Sequence, residues 1–114
     1  MKEIKAYVRN RKVDDVIRAL REIGAPGITV TRVHGVGYGY ESYQFTLSPS
    51  ELGRTSDVAK VEVVCEDDCA GAAVKVIVEA ARTGDPGDGI VFVTDVQRAV
   101  KIRTGTEGPA ALER

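Results

Sequence analysis

Apolar and polar positions alternate at the start of the chain. Ile4, Ala6 and Val8 stand between Lys5, Tyr7 and Arg9, the period-two pattern of a strand with one buried face. From Val13 the period lengthens: Val13, Val16, Ile17, Leu20 and Ile23 recur at helical spacing, and Gly24 supplies the stop. Ile28 to Val33 is rich in β-branched residues and reads as a second strand, and Val61 to Cys65 reads as a third. Ala70, Ala73, Val74, Ile77, Val78 and Ala81 predict a second amphipathic helix, with Asp67 and Asp68 at the N-terminal end that favours acidic side chains. Ile90 to Val93 gives the fourth strand.

The order is βαββαβ, a ferredoxin-like α+β arrangement in one domain spanning residues 1–114. Two helices cover one face of such a sheet and leave the other free, so a domain this small is expected to bury the free face by oligomerising. Between Gly37 and Asp57 the periodicity dissolves, as in a functional or disordered loop. Tyr38, Tyr40, Tyr43 and Phe45 in it suit burial against a partner, although Tyr43, Phe45 and Leu47 also alternate as in a hairpin extension. The tail, Thr106 to Arg114, is small, polar and Pro-containing, and is expected to be flexible.

Charge narrows the function classes. The 114 residues carry 16 basic and 17 acidic side chains for a net charge of -1, and no basic stripe emerges, which argues against a nucleic-acid binder. No apolar run suits a signal peptide or a membrane span, so a cytoplasmic protein without membrane insertion is expected. Cys65 and Cys69 are the only cysteines and His34 the only histidine, a poor ligand set for a metal. A regulatory disulfide between the cysteines requires suitable Cβ geometry. The plainer reading places Cys65 on an apolar strand face and Cys69 at a helix start, both behaving as small hydrophobes.

The densest chemistry lies between Thr83 and Gly105. Gly87, Asp88 and Gly89 form a tight turn whose backbone amides can approach an anion. Lys101, Ile102 and Arg103 alternate as in a further strand, with both cations on one face. Amides beside two cations outline a phosphate site. The same residues also fit a hairpin with a solvated basic edge.

These motifs resemble the C-terminal signature of the PII signal-transduction proteins, T-G-x-x-G-D-G-K-I-F-V followed some eight residues later by R-I-R-T-G. Thr83, Gly84, Gly87, Asp88, Gly89, Phe92, Val93, Arg103, Thr104 and Gly105 match it. Met1 to Ile4, Val13 to Gly24, Gly27 to Thr31, Gly35 to Gly37 and Lys60 to Val64 extend the resemblance over most of the chain. The resemblance implies a homotrimer with adenine-nucleotide sites in the clefts between subunits, and with no nucleophile–base pair standing out, no enzymatic activity is expected. It also implies that residues 37–57 are a T-loop docking on a membrane transporter or a metabolic enzyme. By position it places the adenine and ribose pocket on Ile28, Thr29, Gly35, Val36, Gly37, Glu62 and Val64, and the phosphate-facing part on Gly87, Asp88, Gly89, Lys101 and Arg103.

Three positions depart from that pattern. Tyr38 stands where the family has a phosphate-reaching arginine, Gly39 where it has the glutamine that helps hold magnesium and 2-oxoglutarate, and Ile90 where it has a lysine after Gly-Asp-Gly. Lys101 keeps a charge but loses the arginine fork. Charge-assisted hydrogen bonds are worth roughly 1.5–3 kcal/mol each, so ADP or AMP is expected to be favoured over ATP, and the 2-oxoglutarate site to be absent. Glu51 occupies the position of the tyrosine that some members carry as a modified residue. With nitrogen sensing thus weakened, bicarbonate is a candidate effector, with Arg9, Arg11, His34 and Arg54 as candidate anion supports. The alternatives are a nitrogen-regulatory protein acting on ammonium transport or assimilation, and a structural ferredoxin-like trimer.

Overall fold

The structure, a computed structural model, describes residues 1–35 and 58–113. The expected T-loop at 37–57, with Val36 just before it, lies outside the described residues.

Strand β1 (Lys2–Arg9) buries Ile4, Ala6 and Val8 as its alternation dictates. A short 3-10 turn (Asn10–Lys12) leads into helix α1 (Val13–Glu22), which turns Val16 and Leu20 into the core. The helix stops at Gly24, whose φ of 76° falls in the left-handed region. The Gly24 amide donates to Arg21 O at 3.0 Å and the Ala25 amide to Leu20 O at 3.1 Å, the paired bonds of a Schellman ending. Strand β2 (Ile28–Val33) follows, then β3 (Val58–Cys65), helix α2 (Asp67–Ala81) and strand β4 (Ile90–Asp95). Strand β3 begins three residues before the expected Val61, with Val58 and Ala59 both buried.

All pairings are antiparallel and the strand order is β2-β3-β1-β4, which puts β2 and β4 on opposite edges of the sheet. The helices lie on one face, packed on each other and across β1. Beneath them Leu20, Ile77, Ile4, Val61 and Val63 close the core, the larger ones contributing roughly 1.5–3 kcal/mol each by leaving water. Helix α2 approaches closely because its buried stripe, Ala70, Ala73, Ile77 and Ala81, is mostly alanine.

The open face is less apolar than the alternation of the strands implies. Tyr7 and Phe92 meet edge to face at 6.4 Å. Beside them run two ion pairs, Lys5 with Glu3 at 3.9 Å and Lys60 with Glu62 at 3.5 Å.

Two C-terminal expectations differ from the structure. Lys101, Ile102 and Arg103 do not form a strand. Residues 102–104 are a turn, closed by the Gly105 amide donating to Lys101 O at 2.8 Å and flanked by a bridge between Val100 and Glu107. Ile102 projects wholly into solvent, so the alternation of charge there marks a turn and not a sheet face. The tail expected to be flexible forms a 3-10 helix (Gly108–Leu112) that packs against β3. Pro109 at the start of this helix fits because its missing N–H lies where no intrahelical partner exists.

Candidate functional site

The loop between α2 and β4 is organised around the Asp88 carboxylate. The amides of Thr83 and Gly84 donate to its Oδ2 at 2.9 and 2.8 Å, and the Thr83 hydroxyl donates to Oδ1. Thr83 Oγ1 in turn accepts from the Asp85 amide at 3.2 Å. Arg9, the last residue of β1, reaches the same loop, with Nε 3.4 Å from Asp88 Oδ1 and Nη2 donating to Pro86 O at 2.8 Å. The Thr83 hydroxyl, its amide and then the Gly84 amide and Arg9 hold the Asp88 carboxyl far below the usual carboxylate range.

Glycines make this geometry accessible. Gly89 has φ of 105°, and a Cβ there would lie 1.7 Å from the Tyr7 carbonyl oxygen. The loop is therefore pressed against β1 at a point where no side chain fits. The motif suggests the Gly-Asp-Gly amides as anion donors. The structure adds an internal anion, Asp88, that already consumes the two amides just upstream. It also engages Arg9, one of the candidate supports for bicarbonate. A cavity of about 410 Å³ adjoins the loop, lined by Asp88, Gly89, Tyr7, Ile90 and the apolar side chains Val74 and Val78 of α2.

A second group assembles at the opposite side of the sheet. Thr29 and Glu62 are direct partners across β2 and β3, and with Val64 they line a cavity of about 370 Å³ that also includes Glu3, Gly27 and Leu112. Ile28 lies opposite Val63 and packs against the core beneath the helices. Lys101 is tied to the tail, its ammonium donating to the Glu113 carbonyl, and its amide donating to Thr106 O at 2.8 Å. Arg103 is exposed in the adjoining turn.

Gly35 is buried just beyond the end of β2, while Val36, Gly37 and Tyr38 lie outside the described residues, as does Arg54. Arg11 and His34 are exposed. Thus the structure joins Thr29, Glu62 and Val64 in one pocket on the β2–β3 side of the sheet and Gly87, Asp88 and Gly89 in one loop leading into edge strand β4. Sequence reasoning missed Leu112 and Ala111 as walls of the pocket, because a short Pro-Ala-Ala-Leu run carries no periodicity.

The family model described as Nitrogen regulatory protein P-II matches residues 1–106. The chain is 39% identical over 112 residues to Nitrogen regulatory protein P-II 1 of Escherichia coli (strain K12), covering 98% of this chain and 100% of that protein. The Nitrogen regulatory protein P-II of Klebsiella oxytoca and that of Azospirillum brasilense match at the same identity and coverage.

Proposed function

The chain belongs to the nitrogen regulatory protein P-II family, and on that premise we propose that it is a trimeric signalling regulator that binds an adenine nucleotide between subunits. One observation carries the reading. The Thr29–Glu62–Val64 pocket lies on the β2–β3 side of the sheet and the Gly87–Gly89 loop leads into β4 at the far edge, and we read each as half of a nucleotide site. When the β2–β3 side of one copy meets the β4 side of the next, the pocket receives the base and ribose, and the glycine loop faces the phosphates. The partly apolar sheet face, with Tyr7 and Phe92 on its β1–β4 side, is then buried in the assembly.

Ile90 supports a preference for short phosphate chains. It is half-buried opposite Tyr7, an apolar residue where the family places a lysine, so the outer phosphates of ATP gain no cation from it. The segment 37–57 is the surface through which bound nucleotide acts on a partner protein, a transporter or a metabolic enzyme. The relatives are named for nitrogen regulation, which favours that pathway over inorganic carbon. Among the described candidate supports for bicarbonate, Arg9 is already held by Asp88 and Pro86.

Titration calorimetry with AMP, ADP and ATP, with and without magnesium, tests this function together with light scattering of the free protein. A particle of three 12.2 kDa chains binding ADP or AMP at least as tightly as ATP is expected. A stable monomer would remove the intersubunit site. ATP binding tenfold tighter than ADP, about 1.4 kcal/mol, would overturn the role given to Ile90.

A further inference from the structure

Cys65 and Cys69 play no part in the nucleotide site, yet the fold sets them side by side. Cys65 is the last residue of β3 and is 1% exposed, whereas Cys69 is the third residue of α2 and half-buried. Only the Glu66 joint and two helical residues separate them, and the Cys69 amide folds back to Glu66 O at 3.0 Å. Both are free thiols. They also open on the same cavity of about 720 Å³, which Arg21, Pro26, Pro109 and Leu112 help to line.

We propose that Cys65 and Cys69 are a peroxide-oxidisable dithiol that closes to an intrachain disulfide and alters the seat of the tail helix. Four positions apart across the strand-to-helix joint and lining one cavity, the two side chains need only a local approach to reach bonding distance. The two cysteines are not equivalent. Burial, then the neighbouring Cys69, pushes the Cys65 thiol up to about 12, so it stays protonated and cannot start the reaction. Cys69 faces the cavity from the first turn of α2. Half-buried where Cys65 is fully buried, it is the thiol that peroxide reaches first.

The chemistry balances with hydrogen peroxide as oxidant. The Cys69 sulfur attacks one peroxide oxygen, the O–O bond breaks, and Cys69 becomes a sulfenic acid with release of one water. The Cys65 sulfur then attacks the Cys69 sulfur, and the departing hydroxide takes the Cys65 proton as a second water. Two thiols are oxidised and one peroxide is reduced to two waters. The new bond ties the end of β3 to the first turn of α2 at a wall shared with Pro109 and Leu112. Leu112 also lines the Thr29–Glu62–Val64 cavity, so the tail helix links the two places.

The test uses the full chain treated with a small excess of hydrogen peroxide, then alkylated with iodoacetamide. The expected product has lost two hydrogens, takes no alkyl group, maps to a Cys65–Cys69 link and is restored by dithiothreitol. Cys65→Ala, a small and apolar replacement, should leave Cys69 as a sulfenic acid that dimedone traps, whereas Cys69→Ala should give no dimedone adduct. Full alkylation of both thiols after peroxide, a link between chains, or sulfinic acid on Cys69 of the wild-type protein would overturn the proposal. Hydrogen exchange of residues 108–113 should differ between reduced and oxidised wild-type protein. Identical exchange would overturn the coupling to the tail.

Discussion

Arg9 and Asp88, 79 positions apart in the chain, meet at the end of the sheet and clamp the glycine loop to β1. The carboxylate serves the loop's own backbone, and the guanidinium bridges it to the Pro86 carbonyl. Removing either partner has different consequences. Asp88→Ala strips the acceptor from two amides and a hydroxyl, whereas Arg9→Ala removes one long ion pair and one carbonyl contact. Thermal denaturation at neutral pH should place Asp88→Ala below Arg9→Ala in Tm, with Arg9→Ala within about 1 kcal/mol of wild type. Equal losses would mean that Arg9, not the amide ring, holds the loop.

Acid should unfold the loop through the same carboxylate. Asp88 is depressed in the folded state from an ordinary value of 3.8. Its contribution is complete above that value and is lost as pH falls below it toward the folded pKa. Stability measured from pH 5 downward should therefore fall less steeply in Asp88→Asn than in wild type. At the other end, Cys65 is raised from 9.0 to about 12, so its contribution is intact below 9.0 and lost as pH climbs toward 12. Cys65→Ala should lack that alkaline decline.

Two glycines of the same loop should respond to alanine with losses of different size. Gly84 (φ 93°) has open space where a Cβ would point, so Gly84→Ala carries only left-handed strain, roughly 1–3 kcal/mol. Gly89→Ala adds a collision with the Tyr7 carbonyl at 1.7 Å, and should cost more than that range. Denaturant midpoints of the two variants decide the matter. Similar midpoints would show that β1 and the loop can part without penalty.

The basic turn offers a ligand test. Arg103→Ala should weaken AMP, ADP and ATP together, by roughly 1.5–3 kcal/mol if the guanidinium contacts a phosphate shared by all three. Adenosine, which has no phosphate, should bind both proteins alike. A loss for adenosine as large as that for ADP would place Arg103 against the nucleoside instead.

Periodicity makes the layers of the fold legible in the chain itself. Ile4, Ala6 and Val8 in a strand, and Val16 with Leu20 in a helix, each bury one face, and burial is what those repeats encode. It fails where backbone bonding decides. Lys101, Ile102 and Arg103 alternate like a strand, but Gly105, with φ of 72°, turns the chain back on itself. Val58 and Ala59 are adjacent and both buried, so the start of β3 carries no alternation to read. The family motif locates Gly87, Asp88 and Gly89, yet nothing in it announces that the Asp88 side chain faces inward to the Thr83 and Gly84 amides. Thr29, Glu62 and Val64 come from resemblance, and the meeting of Thr29 with Glu62 across β2 and β3 follows from register.

In the proposed ring, with β2 and β4 at opposite edges, each chain would donate one half-site and receive the other. Two defective proteins should then rescue one another. Glu62→Ala damages only the pocket half and Asp88→Ala only the loop half, so each pure ring binds poorly. Unfolded together in equal amounts and refolded, random rings should regain about one intact cleft in four, since each cleft needs one undamaged half from each of two neighbours. A protein that carried its site within a single chain would show no such complementation.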